Sequence, residues 1–237
     1  MAITIALPAN GSGADATDAT GYTTGSIDFV SGRVYVMVVD NSRGTSTATQ
    51  PSVSGSTSGT WGTEGLFGAT YDKSASSPVR RIRVLTFTAT STFSETLSIS
   101  FGATTQTGCR WIVAEVSGAD TDAPIVQAVE NEGDAGTTAS VSLAALADAA
   151  NAVIGFFGCD SPSDAFTEGA GFTLLGQVSN ASPNSSACCV YAIGDNAPSA
   201  TMSTADWGGV AVEVAIAPAG GIAGTSTSLR QSRRRRR

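Results

Sequence analysis

The chain has 237 residues, enough for one large all-β domain or two small domains and for a sizeable buried core, and only 14% of them are charged. Thirty serines, 29 threonines and 27 glycines make up about 36% of it, with one lysine, Lys73, and no histidine. The missing imidazole excludes a Ser-His-Asp triad, a histidine-bearing zinc site and histidine acid–base chemistry.

The formal net charge of −7 conceals a division. Six of the 13 basic residues, Arg230, Arg233, Arg234, Arg235, Arg236 and Arg237, fall in the last eight positions. The rest of the chain holds seven basic residues against 20 acidic ones, a net of −13 beside a segment of +6. Such asymmetry predicts an acidic body with a basic interaction tail. The body itself repels phosphate, so nucleic acid is open to the tail alone.

In chain order, Met1–Pro8 has neither a basic n-region nor a long apolar stretch, so it does not read as a secretory signal. No apolar run approaches the ~18 residues that span a bilayer, and no membrane partner is expected. Arg33–Asp40 reads as a strand buried on both faces, ending at an Asp40-Asn41 turn. Gly44–Ser58 reads as a Ser/Thr/Gly-rich surface loop leading to Trp61. Arg81–Ala89 alternates, with Ile82 and Val84 on one side and Arg83, Leu85 and Phe87 on the other. In Glu95–Phe101 the residues Leu97, Ile99 and Phe101 face inward while Thr96, Ser98 and Ser100 face outward.

Further strands are predicted at 110–116, 139–143, 151–158, 172–178, 187–193 and 209–216. Turn signals separate them at Ser117–Asp120, Glu132-Gly133-Asp134, Asn180–Asn184 and Gly194–Asn196. Leu143–Ala150 is alanine-rich but only about two turns long, so it reads as a strand end and a bend. The whole predicts an all-β antiparallel sandwich, jelly-roll-like, over residues 1–218. After Pro218 a Gly/Ser/Thr linker leads into the arginines, so 219–237 is expected to be a flexible tail.

None of the four cysteines, Cys109, Cys159, Cys188 and Cys189, forms a C-x-x-C pair. They read as buried or half-buried free thiols, with a disulfide between separated strands as the alternative. Cys188 and Cys189 are adjacent in a strand, so one faces in and one out.

Several of these features together resemble a β-sandwich type that recurs among structural proteins of tailed bacteriophages and prophages. The strand Val34–Val39 precedes a polar loop ending in Gly59-Thr60-Trp61. Strands at 81–87 and 97–101 follow, then Trp111–Val116 closing on Ser117-Gly118, and finally Ala205-Asp206-Trp207 opening the last strand. The resemblance implies a virion structural protein, a minor tail, tail-associated or capsid-decoration component. It would be assembled in the host cytoplasm, with other virion proteins and copies of itself as partners. It implies no catalytic residues and no cofactor.

The remaining candidates are weighed against plainer roles. Asp160, Asp164 and Glu168 form an acidic loop with oxygen ligands of the kind Ca²⁺ takes, but without the spacing of a calcium loop. Asp120 and Asp122 read as turn caps. Glu115 is expected at the surface or against Arg110 or Arg83. Trp111 and Trp207 read as packing residues. Trp61, between Gly59 and Gly62, is the exposed candidate for stacking on a sugar ring, which makes a carbohydrate-binding surface module for host adsorption the alternative function. Arg80 to Arg83 read as solvated or ion-paired. The arginine tail is the interaction element, for neighbouring subunits first and nucleic acid second.

Overall fold

The computed structural model describes residues 2–44, 48–62, 70–71, 79–161 and 165–218. Its strands begin with β1 (Thr4–Ala6), β2 (Ser12–Asp15), β3 (Gly21–Phe29), β4 (Val34–Arg43), β5 (Ser52–Gly55) and β6 (Gly59–Thr60). They continue as β7 (Thr70–Tyr71), β8 (Val79–Thr88), β9 (Phe93–Ser100), β10 (Gly108–Ser117) and β11 (Ile125–Ser140). The last are β12 (Ala152–Cys159), β13 (Thr167–Glu168), β14 (Thr173–Ala181), β15 (Asn184–Ile193) and β16 (Ser199–Val214). The expected strand over 139–143 is the end of β11, and Leu143–Ala150 carries no helix.

The strands sort into three antiparallel sheets, giving an all-β sandwich with one layer more than the sequence led us to expect. The front sheet runs β3-β9-β5-β6 and the middle sheet β1-β10-β4-β8-β7, with β2 also on β10. The back sheet runs β11-β16-β12-β15-β14, with β13 beside β16. β4 is central to the stack, which is why it is buried at nearly every position and apolar from Val34 to Val39. Its Val34, Val36 and Val38 enter the core shared with the back sheet, while Tyr35, Met37 and Val39 enter the core shared with the front sheet.

The back sheet is also buried on both faces. Cys189 faces the middle sheet, whereas Cys188 joins a third apolar cluster with Phe157, Phe172 and Trp207 on the outer side. The expectation that one of the two cysteines faces out is therefore corrected: both are fully buried.

The cover over that third cluster comes from a bend. β11 and β16 pair regularly from Gln127↔Glu213 to Gly133↔Trp207, pass two bulges, and resume at Thr138↔Thr201. Asn131 Nδ2 nevertheless donates to Ser140 O at 2.9 Å, nine positions further along the same strand. A straight strand would hold those residues about 30 Å apart. The ribbon therefore folds back, laying Ala139, Ala200 and Met202 over the back sheet. Gly133 and Gly136 make the bend feasible, since a Cβ on either would come within 2.5 and 2.9 Å of Trp207 Nε1. Ala135, at φ 47°, donates its N–H to Asp206 Oδ1 at 2.8 Å.

Three turn or loop readings change accordingly. Glu132-Gly133-Asp134 is a bend inside a ribbon rather than the end of a strand. Asp40-Asn41 lies within β4, and Gly44–Ser58 contains β5, whose Val53 is buried. In the front sheet Leu97, Ile99 and Phe101 are buried while Thr96 and Ser98 are exposed, which is the register read from the alternation.

Candidate functional site

Trp61 does not reach the surface. Trp61 and the next residue stitch the front and middle sheets: Trp61 N donates to Val53 O, and Gly62 and Thr86 exchange backbone bonds. This places the indole in the front core at 1% exposure. There it stacks on Phe87 at 5.5 Å and meets Phe29 edge-on at 6.1 Å, while its Nε1 donates to Ser58 Oγ. Gly62 serves a crossing between sheets and Gly59 pairs with Gly55 in the front sheet, and the expected sugar-stacking face is absent. Trp111 and Trp207 are buried, as read from their strands.

The acidic loop is divided in the same way. Asp160 Oδ1 accepts from Asp206 N at 2.9 Å, and Asp160 N donates to Asp206 O, so this residue ties its loop to β16. Glu168 is exposed on β13, and Asp164 lies outside the described residues. Among the described residues no three acidic or sulfur side chains converge as a metal site would require. Asp120 does cap its turn, its Oδ1 accepting from Asp122 N at 2.9 Å and from Ala123 N at 3.3 Å.

The charged strand residues are partnered differently from expectation. Glu115 bonds Arg33 and the Tyr35 hydroxyl rather than Arg110 or Arg83. Arg110 instead meets Asp40, its register partner on β4, with Nε to Oδ2 at 2.9 Å and both side chains fully buried. Arg80 is buried too, donating from Nε to Ser185 Oγ at 2.7 Å and also to Asn184 O. It fastens the middle sheet to the β14–β15 hairpin rather than facing solvent. Arg83 donates to Pro51 O at 3.1 Å.

A buried carboxylate that pattern reading missed is Glu213. It accepts from Gln127 Nε2 at 2.6 Å, Asn151 Nδ2 at 2.6 Å and Ala147 N at 2.8 Å. These bonds anchor the irregular 143–151 segment below a groove of about 380 Å³ rimmed by Val126, Ala150, Ile216 and Pro218. Burial pushes the thiols of Cys109, Cys188 and Cys189 well above the ordinary range.

Three exposed acidic residues lie on β11. This strand ends the back sheet, with no partner on its outer side among the described residues. Glu130, Glu132 and Asp134, at alternate positions approaching the bend, are all exposed. Further exposed carboxylates are spread over the described surface, at Asp18, Asp28, Asp122, Asp148 and Glu168. The expected interaction tail falls beyond Pro218: Arg230, Arg233, Arg234, Arg235, Arg236 and Arg237 all lie outside the described residues. Pro218 itself sits at the other end of β11, where Ala215 N donates to Pro124 O. Compared with protein families, curated proteins and solved structures, the chain matches none of them.

Proposed function

We propose that this chain is a non-enzymatic structural protein of a tailed-bacteriophage particle, minor tail, tail-associated or capsid-decorating, working by docking of subunits. The observation that carries the reading is the division of charge: a body of −13 built from three packed sheets, and a +6 segment joined at its edge. The chain's polar side chains support a scaffold role as well. Asp40, Arg110, Arg80, Glu95 and Glu213 are all buried in bonds that hold one element to another. The resemblance drawn from the strand pattern supplies the setting, the virion, with other virion proteins and copies of this chain as partners. Nucleic acid enters this reading only through the arginines, and the reading requires no cofactor or membrane.

The test is imaging of phage particles carrying this chain with a density label, together with incorporation at rising ionic strength. Label at regular positions on the particle, and incorporation that weakens as the Debye length contracts from ~10 Å at 0.1 M to 3 Å at 1 M salt, is the expected result. Particles that form with their full complement and carry no label would overturn the proposal.

A further inference from the structure

We propose that Arg81 and Arg83 form a site for an oxyanion, bound side-on between the front and middle sheets. The inference goes beyond the assembly reading and does not rest on it. Both residues lie on β8 at alternate positions, so their side chains leave one face of the strand about 7 Å apart. On that face Leu85 and Phe87 enter the front core. Arg81 Nη1 donates to Ala48 O at 3.4 Å and Arg83 Nη1 to Pro51 O at 3.1 Å, so the residues leading into β5 hold both guanidinium groups in place. Arg33 is paired with Glu115 and Arg110 with Asp40, but neither Arg81 nor Arg83 has a carboxylate partner among the described residues.

The bonds that are made leave one edge of each fork unused. Arg81 Nε and Arg83 Nε are both buried without a hydrogen-bond partner, a rare condition for a buried donor. Nε–H and the adjacent Nη2–H are the parallel donors that match two oxygens of one carboxylate, phosphate or sulfate group. Asn41, opposite Arg81 on β4, is fully buried, and its Oδ1 is unpartnered as well. Two like charges on one half-buried face add to the cost: burial first and the Arg81 charge second lower the pKa of Arg83. An oxyanion seated between the two groups accepts from both Nε–H groups and offsets both charges, and a water carried with it donates to Asn41 Oδ1. A free ion and an acidic side chain of a second copy both carry this chemistry.

NMR of the arginine Nε–H groups in the full-length chain tests the site. The probes are inorganic phosphate and acetate, titrated against sodium chloride at matched ionic strength. The expected result is a saturable shift of the Arg81 and Arg83 Nε–H signals and of the Ala48, Thr49 and Gln50 amides, with no comparable response to chloride. Arg83→Gln should weaken phosphate binding, read at the Arg81 signal, roughly 10- to 150-fold, as the loss of hydrogen bonds to a charged group implies. Arg83→Lys, which keeps the charge without the fork, should recover only a small part of that loss. Arg33→Gln, which removes the same charge elsewhere, should leave the affinity within about twofold. Should the Arg83 variants fail to fold, the shifts in the parent chain decide alone. Signals that move on concentrating the chain in buffer free of oxyanions mark an acidic side chain of a second copy as the occupant. Signals that move only with added phosphate or acetate mark a free ion, and either result supports the site. Arg81 and Arg83 signals that ignore both probes and the protein concentration, that follow chloride equally, or that move no more than those of Arg33 and Arg110 would overturn the proposal.

Discussion

At the scale of single residues, the economy of charge in this chain is visible in where its few acids and bases go. Asp40 and Arg110 are opposite each other on neighbouring strands, and each removes the cost of burying the other. Glu95 is the instructive case, because it lies on the inward face of β9 in line with Leu97 and Ile99. Burial alone would raise its carboxyl pKa. The Ser58 hydroxyl, the N–H groups of Thr57 and Ser58 and the Ser56 hydroxyl outweigh that and hold it below the ordinary carboxylate range. A carboxyl held low in the folded state adds stability that is fully present above its unfolded value of about 4.3 and is lost as pH falls through the folded value. Glu95→Gln should therefore lower the thermal midpoint at pH 7, and the gap to the parent chain should close on acidification below pH ~4. A gap that is the same at pH 7 and pH 3 would show that the β5–β6 turn does not depend on the carboxylate.

Among the elements, the bent β11–β16 ribbon determines whether the back sheet has a covered outer face. Gly133→Val would drive its Cβ and methyls into the Trp207 indole, and overpacking of this kind costs about 1–3 kcal/mol. The ribbon should then lift, speeding amide exchange at Ala139 and Val141. Thr137→Val, at an exposed position on the same ribbon, should stay within about 0.5 kcal/mol of the parent. Equal effects from the two substitutions would mean that the bend does not depend on the glycine. This ribbon also marks what the sequence could convey. Period-two alternation made β8 and β9 legible, and short runs of apolar residues bounded by turn signals did the same for β4, β10, β12 and β15, which are buried on both faces. The pattern could not reveal that the sheets stack three deep, since Cys188-Cys189 and Phe156-Phe157 read alike whether a second core or solvent lies behind them. Nor could it distinguish Gly133 as a bend from Gly133 as a turn, which depends on Trp207, far away in sequence. The candidate site was half legible. The arginines stood out by composition, but the acidic stretch of β11 was read as a turn, and Trp61 was misjudged because a crossing between sheets and an exposed loop both use glycines.

For the molecule as a whole, the question is whether the body depends on the segment beyond Pro218. All three apolar clusters are complete within residues up to Val214, with Ile216 packed against the first of them. Residues 219–237 contain only two large apolar side chains, Ile222 and Leu229. Complete burial of both would contribute about 3–6 kcal/mol, whereas contact through exposed ion pairs contributes about 0.2–1 kcal/mol each. In a domain of this size 1 kcal/mol corresponds to roughly 2–4 °C in thermal midpoint. If the segment acts through charge, truncation after Pro218 should lower the midpoint by a few degrees at 0.05 M salt and by almost nothing at 1 M, where the pairs are screened. A loss of ten degrees or more that persists at 1 M salt would place Ile222 and Leu229 in the core and make the segment part of the fold rather than its means of attachment.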